Sequence, residues 1–356
     1  MRTLARLLIA ALAPISLAQA VPDIASSPVV GYQEIACPGG SDTVISVPFE
    51  RPVTFRGTII GLASGAPVVT LAGGDPGFAE NELASTHFLR FTGGNAAGRH
   101  YPIAGNQGAE IRLLLPDGDP ALTATAGDGV DLIPCWTPES LFPAASQAAL
   151  HPSSGLLPGQ RGSELLMYPS GSVPENASPD RVFFVTSSGW FEADSGIPAA
   201  DDAVLPPHAV FVIRHPEHAA QTWFRPAALV TTSPSGMVLK SRRGSALDHF
   251  VSLNRPIPAE LGQLITLARA LTPSPGLSPS QRRDLLLVFD NATADRDRQP
   301  SATYFFHRGD WYRATSDGQP PQRANDANLP AGAVLVIRKA PTLNPRSTVW
   351  TQDPNL

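Results

Sequence analysis

The sequence predicts a mainly β protein made of two homologous antiparallel β units, the first carrying an inserted small β-barrel or sandwich module, with little helix. Three observations carry that prediction. A block of fourteen residues occurs twice, as GLLPGQRGSELLMY from Gly155 and as GLSPSQRRDLLLVF from Gly276, with seven identities at a displacement of 121 residues. Proline, 37 of 356 residues, is about twice its usual share, and proline breaks helix interiors and central strands alike. Short runs rich in valine and aromatic residues recur between Gly, Pro, Ser, Asn and Asp clusters, the pattern of short strands joined by tight turns.

Residues 1–20 read as a secretory signal: Arg2 and Arg6, an apolar stretch from Leu7 to Ala18, and the triplet Ala18-Gln19-Ala20 ending before Val21. The mature chain is therefore expected to be exported, periplasmic or extracellular. Its loss of Arg2 and Arg6 takes the formal charge from −5 to −7, and the basic residues are scattered, so nucleic acid is excluded as a partner. No later segment approaches the roughly 18 uninterrupted apolar residues of a membrane span.

The first unit is expected over 21–55 and 141–225. Arg51-Pro52 matches Arg255-Pro256 at a displacement of 204, which leaves 83 extra residues in the first copy, placed as an insertion over 56–140. Within the insertion, THFLRFTGGNAAGRHYPIAG pairs two strands across a glycine turn, IRLLLP adds a third, and AGDGVDLIPCWT turns into a last one, which fits five or six antiparallel strands. The second unit is expected over 233–350. In both units a hairpin follows the repeated block, RVFFVTSSGWFEA in the first and TYFFHRGDWYRA in the second, the latter turning at Arg308-Gly309-Asp310. After it come LPPHAVFVIR from Leu205 and LPAGAVLVIR from Leu329. Helix is predicted only over Glu139 to Leu150 and Pro258 to Leu271, where Leu261, Leu264, Ile265 and Ala268 share a face.

Cys37 and Cys135 are the only cysteines, and in an exported chain an even count points to a disulfide, with two buried free thiols as the alternative.

The turn Thr92-Gly93-Gly94-Asn95-Ala96-Ala97-Gly98, Gly127-Asp128 leading to Pro134-Cys135-Trp136-Thr137, and paired blocks at Asp180 to Arg214 and Asp284 to Arg338 carry a resemblance. With the leader and the early Arg-Pro strand, they resemble an uncharacterised family of secreted β-rich bacterial proteins, known mainly from verrucomicrobial genomes. The resemblance covers nearly the whole mature chain and departs at Ser301, where the first copy has Asp180. It implies a secreted β fold and supplies no catalytic residues. The glycine-turn pattern is also similar to small barrel modules of phage-tail and surface fibre proteins.

Chemistry is sparse. There is no G-x-S-x-G elbow, no S-x-x-K and no Gly-rich phosphate loop. His215-Pro216-Glu217-His218 lacks a third ligand, and Asp290 to Asp297 has oxygen groups at alternating positions without the glycine and closing glutamate of a calcium loop, so neither metal nor cofactor is expected. Asp201-Asp202 reads as a turn cap, because Asp326 recurs before Leu-Pro in the second unit. His87, His100 and Tyr101 read as surface residues flanking the insertion's turns. The binding candidates are Trp190, Phe191, Trp311 and Tyr312, which follow hairpin turns at equivalent places; exposed there they stack on a sugar or anchor a partner, and otherwise they pack. The function expected is an exported, non-catalytic β scaffold with a protein or glycan partner. The alternatives are a carbohydrate-binding module using these aromatics and a hydrolase whose site is assembled from distant segments.

Overall fold

The computed structural model describes residues 28–63, 66–115, 119, 122–168, 171–193, 203–315 and 319–354. The leader and the Asp201-Asp202 pair lie outside them. The chain is mainly β, 41% strand and 6% helix, and none of the described helices is long and apolar enough to cross a membrane.

Six strands between Phe55 and Pro134 close into an antiparallel barrel, because Gly129–Pro134 pairs with Phe55–Leu62 on one side and His87–Phe91 on the other. So few strands close only if they bend sharply, and the register shifts at Ile59/Gly61 and Ile103/Gly105 provide the bends. Alternate residues point inward, so Leu89, Phe91, Tyr101, Ile103, Ile111, Leu113, Val130 and Leu132 fill the interior. Tyr101 is 1% exposed, and His100 is half-buried. The expectation that they are surface residues is corrected: strand alternation places the phenol in the barrel core. His87 is half-buried beside Thr54 and Thr86.

Outside the barrel lie two large sheets. In the first, the order is Gly189–Glu192, Arg181–Thr186, Glu164–Met167, Val210–Arg214, Asp42–Ser46. In the second it is Asp310–Arg313, Ala302–His307, Leu285–Val288, Val334–Lys339, Leu247–Ser252, with one further strand on each edge. Both predicted hairpins form. Arg308 and Gly309 take φ of 49° and 92°, the left-handed pair that a two-residue hairpin turn matching strand twist requires.

The two sheets hold each other's edges. Ser172–Pro174, from the first unit's connection, pairs with Leu247–Ser252 of the second. Reciprocally, the second unit's connection lies on Asp42–Ser46: the Asn291 amide exchanges bonds with Val44 at 2.8 and 3.0 Å, and Asp42 N–H donates to Asp295 C=O at 2.8 Å. Each exchange is pinned alike. Arg214 forks onto Asp42 at 2.7 Å and Arg338 onto Asp248 at 2.7 and 2.9 Å. The two carboxylates also accept backbone N–H groups from Asp297 and Asn176, residues with φ of 48° and 57°. The Ser252 hydroxyl donates to the Ser46 hydroxyl at 2.8 Å, linking the two sheets. Val44, Leu166, Val210, Val212 and Val334 fill the layer between the sheets.

Helix is shorter than the sequence predicts. Over 139–150 only Pro138–Leu141 is helical, since Pro143 cannot continue the ladder. Over 258–271 the chain runs as a two-residue strand, a 3-10 turn at Leu261–Gln263 and a helix at Ile265–Ala270. Ile265, predicted on the apolar face, is 57% exposed, while Leu261, Leu264 and Leu267 are buried.

The disulfide is also corrected: Cys37 and Cys135 are free and buried. They belong to different apolar clusters, Cys37 to the first unit's core and Cys135 to a small cluster with Phe88 and Ile133.

Candidate functional site: the cleft between the barrel and the two units

The glycine turn of the barrel docks on the link between the units. Gly98, at φ 83°, accepts from Gly236 N–H at 2.7 Å, and a Cβ there would sit 3.1 Å from the Pro234 carbonyl. Gly94, at φ 75°, lies flat on the Asp128 carboxylate, where a Cβ would come within 2.1 Å. A buried ionic clasp fixes the rest of the barrel. Arg90 reaches Glu50 at 2.5 Å, Asp131 at 2.9 Å and the Thr231 hydroxyl at 2.9 Å. Burial pushes the Glu50 carboxyl up despite the Arg90 charge.

Held this way, the three parts enclose a cleft of about 490 Å³. The barrel contributes His100 and Leu114, the first unit Tyr168 and His208, and the second Met237, His249 and Phe250. Tyr168 and Phe250 meet across the two units with ring centroids 4.6 Å apart. His100 and His208 meet edge-on at 4.5 Å, and His208 Nε2 bonds the Ser235 hydroxyl at 2.8 Å.

His208 has a strained backbone, with φ 61°. The equivalent position of the second unit is Gly332, at φ 60°. Glycine satisfies that backbone at no steric cost, so the first unit carries an imidazole where the fold asks for none. Burial holds His100 at about 4 and His208 well below the usual histidine range, with Arg90 adding to both shifts. Burial also lowers His249 to about 4; its Nε2 bonds the Lys240 backbone carbonyl at 2.9 Å. Near neutral pH the cleft thus presents three uncharged imidazoles among largely apolar walls, with the Arg99 guanidinium, paired with Asp119, as the charged group in its lining.

Two serine–histidine pairs bear on hydrolytic chemistry. Ser235–His208 faces the cleft, but no described carboxylate bonds the imidazole, and its depressed basicity makes it a poor base for the hydroxyl. Ser163–His215, at 2.7 Å, is fully buried, and His215 Nε2 bonds the Thr222 hydroxyl at 2.7 Å. At the equivalent place in the second unit Asp284 is paired with Lys339. The pair is therefore an internal latch closed to solvent.

The histidine pair and the aspartate loop both have other partners. His215 is spent in that latch while His218 is exposed, and among the described residues no group of three His, Cys, Asp or Glu is placed to hold a metal. The Asp290 to Asp297 loop is filled by a guanidinium: Arg298 donates to the carbonyls of Asp290 and Thr293 at 2.6 Å and of Asp42 at 2.9 Å.

Trp190 and Trp311 are 4% and 2% exposed, each in its own unit's core. Their neighbours Phe191 and Tyr312 point to the other face and stack on Phe184 and Phe305 at 5.9 and 5.8 Å. The four aromatics thus occupy equivalent environments, and the indoles are withheld from ligands. Sequence reasoning missed Trp223, 40% exposed, with the Arg225 guanidinium 5.6 Å from its ring centre. The available signal was local: Trp223-Phe224 aligns with Val349-Trp350, so the tryptophan stands at the outward position of the pair.

No family model, curated protein or solved structure matches the chain.

Proposed function

We propose that the protein is an exported, non-catalytic β scaffold, built by duplication of one sheet unit, that binds a small uncharged and largely apolar ligand in the three-way cleft. The observation that carries this reading is His208. A side chain held at a left-handed position where the other unit has glycine, and aimed into a cleft built by all three parts, is strain retained for recognition. Neutral imidazoles give such a ligand hydrogen-bond donors and acceptors without charge, and Tyr168 and Phe250 give it an aromatic wall. The leader sequence supports export. The test is nuclear magnetic resonance of the mature protein with a library of small aromatic and acyl compounds. Binders are expected to move the imidazole signals of His100, His208 and His249 and to be lost in Val238→Trp, which fills the cleft. Binders that leave those signals unmoved would remove the reading.

A second reading, glycan recognition, is favoured by a different surface from the one the repeated aromatics indicate. Residues 30–37 pair with 222–229 in one constant register. Tyr32, 83% exposed, and Trp223 share a face of that ribbon, with the Arg225–Glu34 ion pair between them at 2.6 Å. Two exposed rings on a rigid ribbon with a charged pair between them suit the faces and hydroxyls of adjacent sugars. A glycan array probed with wild type and Trp223→Ala decides it: binding lost in the variant supports the platform, and an empty wild-type array ends it.

A further inference from the structure

Arg161 lies over the Phe184 ring at 5.0 Å, and its counterpart Arg282 lies over Phe305 at the same distance. Around this shared stack the first unit supplies carboxylates. Arg161 pairs with Glu164 at 3.2 Å, and Arg181 pairs with Glu192 at 2.8 Å. In the second unit Leu285 stands in place of Glu164, Arg313 in place of Glu192, and Ala302 in place of Arg181. Both acidic partners have gone, and one has become a second arginine.

Arg282 and Arg313 line the same groove, about 770 Å³, between Pro300–Thr303 and Gln319–Gln322. None of the described residues lining it is acidic. Among the described residues neither arginine has an ion pair, and Arg313 reaches only the Ser301 carbonyl, at 3.3 Å. In a chain of net charge −5, two cations facing one groove with no counter-charge among the described residues repel each other, and a bound oxyanion would neutralise both. Arg282 is held by its ring, so its planar fork is set before a ligand arrives.

We propose that this groove is an oxyanion site, taking a carboxylate or phosphate group through Arg282 and Arg313. It is independent of the cleft reading, since it rests on what the second unit lacks relative to the first. The test is calorimetric titration of the mature protein at low ionic strength with inorganic phosphate and, separately, with galacturonate. The two arms distinguish phosphate from sugar acid as the source. Saturable binding is expected in at least one arm. It should weaken at least about tenfold in Arg282→Gln and again in Leu285→Glu/Arg313→Glu, which restores the first unit's carboxylates. Arg161→Gln, in the first unit, should leave it unchanged. Melting curves superimposable with wild type show that the variants fold, as expected for changes at half-buried and exposed positions. No saturable binding up to about 10 mM in either arm, or equal affinity in wild type and the charge-restoring variant, overturns the proposal.

Discussion

The first and second units lay down the same five strands in the same order, yet they close their interiors with opposite chemistry. In the first, Ser163, His215 and Thr222 form a neutral chain ending on the Ala149 carbonyl at 2.7 Å. In the second, the Asp284–Lys339 ion pair does the same work, with Lys339 Nζ on the Ala270 carbonyl at 2.9 Å. Thr272 and Ala340 N–H groups satisfy the Asp284 carboxylate at 2.6 and 2.9 Å. The fold requires a filled volume and satisfied polar groups at this place, and it accepts either solution. What differs is the cost of error. A neutral latch that loses a partner strands a dipole, whereas an ionic latch strands a charge.

The largest expected effect follows from that difference. Asp284→Ala leaves the Lys339 ammonium buried and unpaired and should destabilise the protein by about 3–5 kcal/mol. Ser163→Ala, the matching change in the first unit, should cost only about 1–2 kcal/mol. Removing both charges at once, in Asp284→Leu/Lys339→Met, should recover most of the Asp284→Ala loss. Urea denaturation of the three variants checks the order; similar losses in the two single variants would break the comparison.

The fold was more legible than the site for a physical reason. Strand alternation, turn chemistry and a repeated block are local signals, and they were enough for the mainly β class, the hairpins at Arg181–Glu192 and Ala302–Arg313, and an inserted antiparallel module, left open between a barrel and a sandwich, that closes as a barrel. The helix predicted over Pro258 to Leu271 forms only at Ile265–Ala270, because Pro258 has no N–H to donate and Gly262 is a poor helix former. Of the buried leucines, Leu261 lies on a 3-10 turn and Leu267 on the short helix. The cleft was invisible because His100, His208 and His249 lie far apart in the chain and meet only when the barrel and both sheets are in place. The mutual clasping of the sheets was hidden in irregular connections, one of which, Asp290 to Asp297, has the alternating oxygen groups of a calcium loop. The unequal charges at Glu164/Leu285 and Glu192/Arg313 were legible all along, but they acquire meaning only once the stacked arginines are seen to coincide.

A middle-sized effect separates the two latches by pH. Burial, then the neighbouring His151, lowers His215 to about 4 from the ordinary 6.5. The unfolded chain therefore binds this proton more readily than the folded one. The stability that His215 contributes is complete above about pH 6.5 and is lost as the pH falls towards 4, by an amount on the order of 2–3 kcal/mol. His100 and His249, at about 4, act in the same direction over the same window. Urea midpoints measured from pH 7 to 4.5 should fall steeply for wild type and less steeply for His215→Gln. Parallel slopes would mean that His215 is not the buried neutral base described.

The smallest expected effect is none at all, and it sharpens the comparison at one pair of residues. Cys37 opposes Thr222 in its ladder as Leu239 opposes Thr348 in the second unit, and both are fully buried. The thiol therefore occupies a position that elsewhere holds a plain aliphatic side chain, and burial pushes it up to about 11. Cys135 is pushed up to about 12 in a different cluster, and both thiols are free. In the oxidising compartment that the proposed export implies, such thiols survive because thiolate is scarce and contact with oxidant needs unfolding. A reductant should leave the melting temperature unchanged, and a thiol reagent should label neither residue until denaturant is added. A melting point that drops on reduction would mean that the two thiols are bridged and not free.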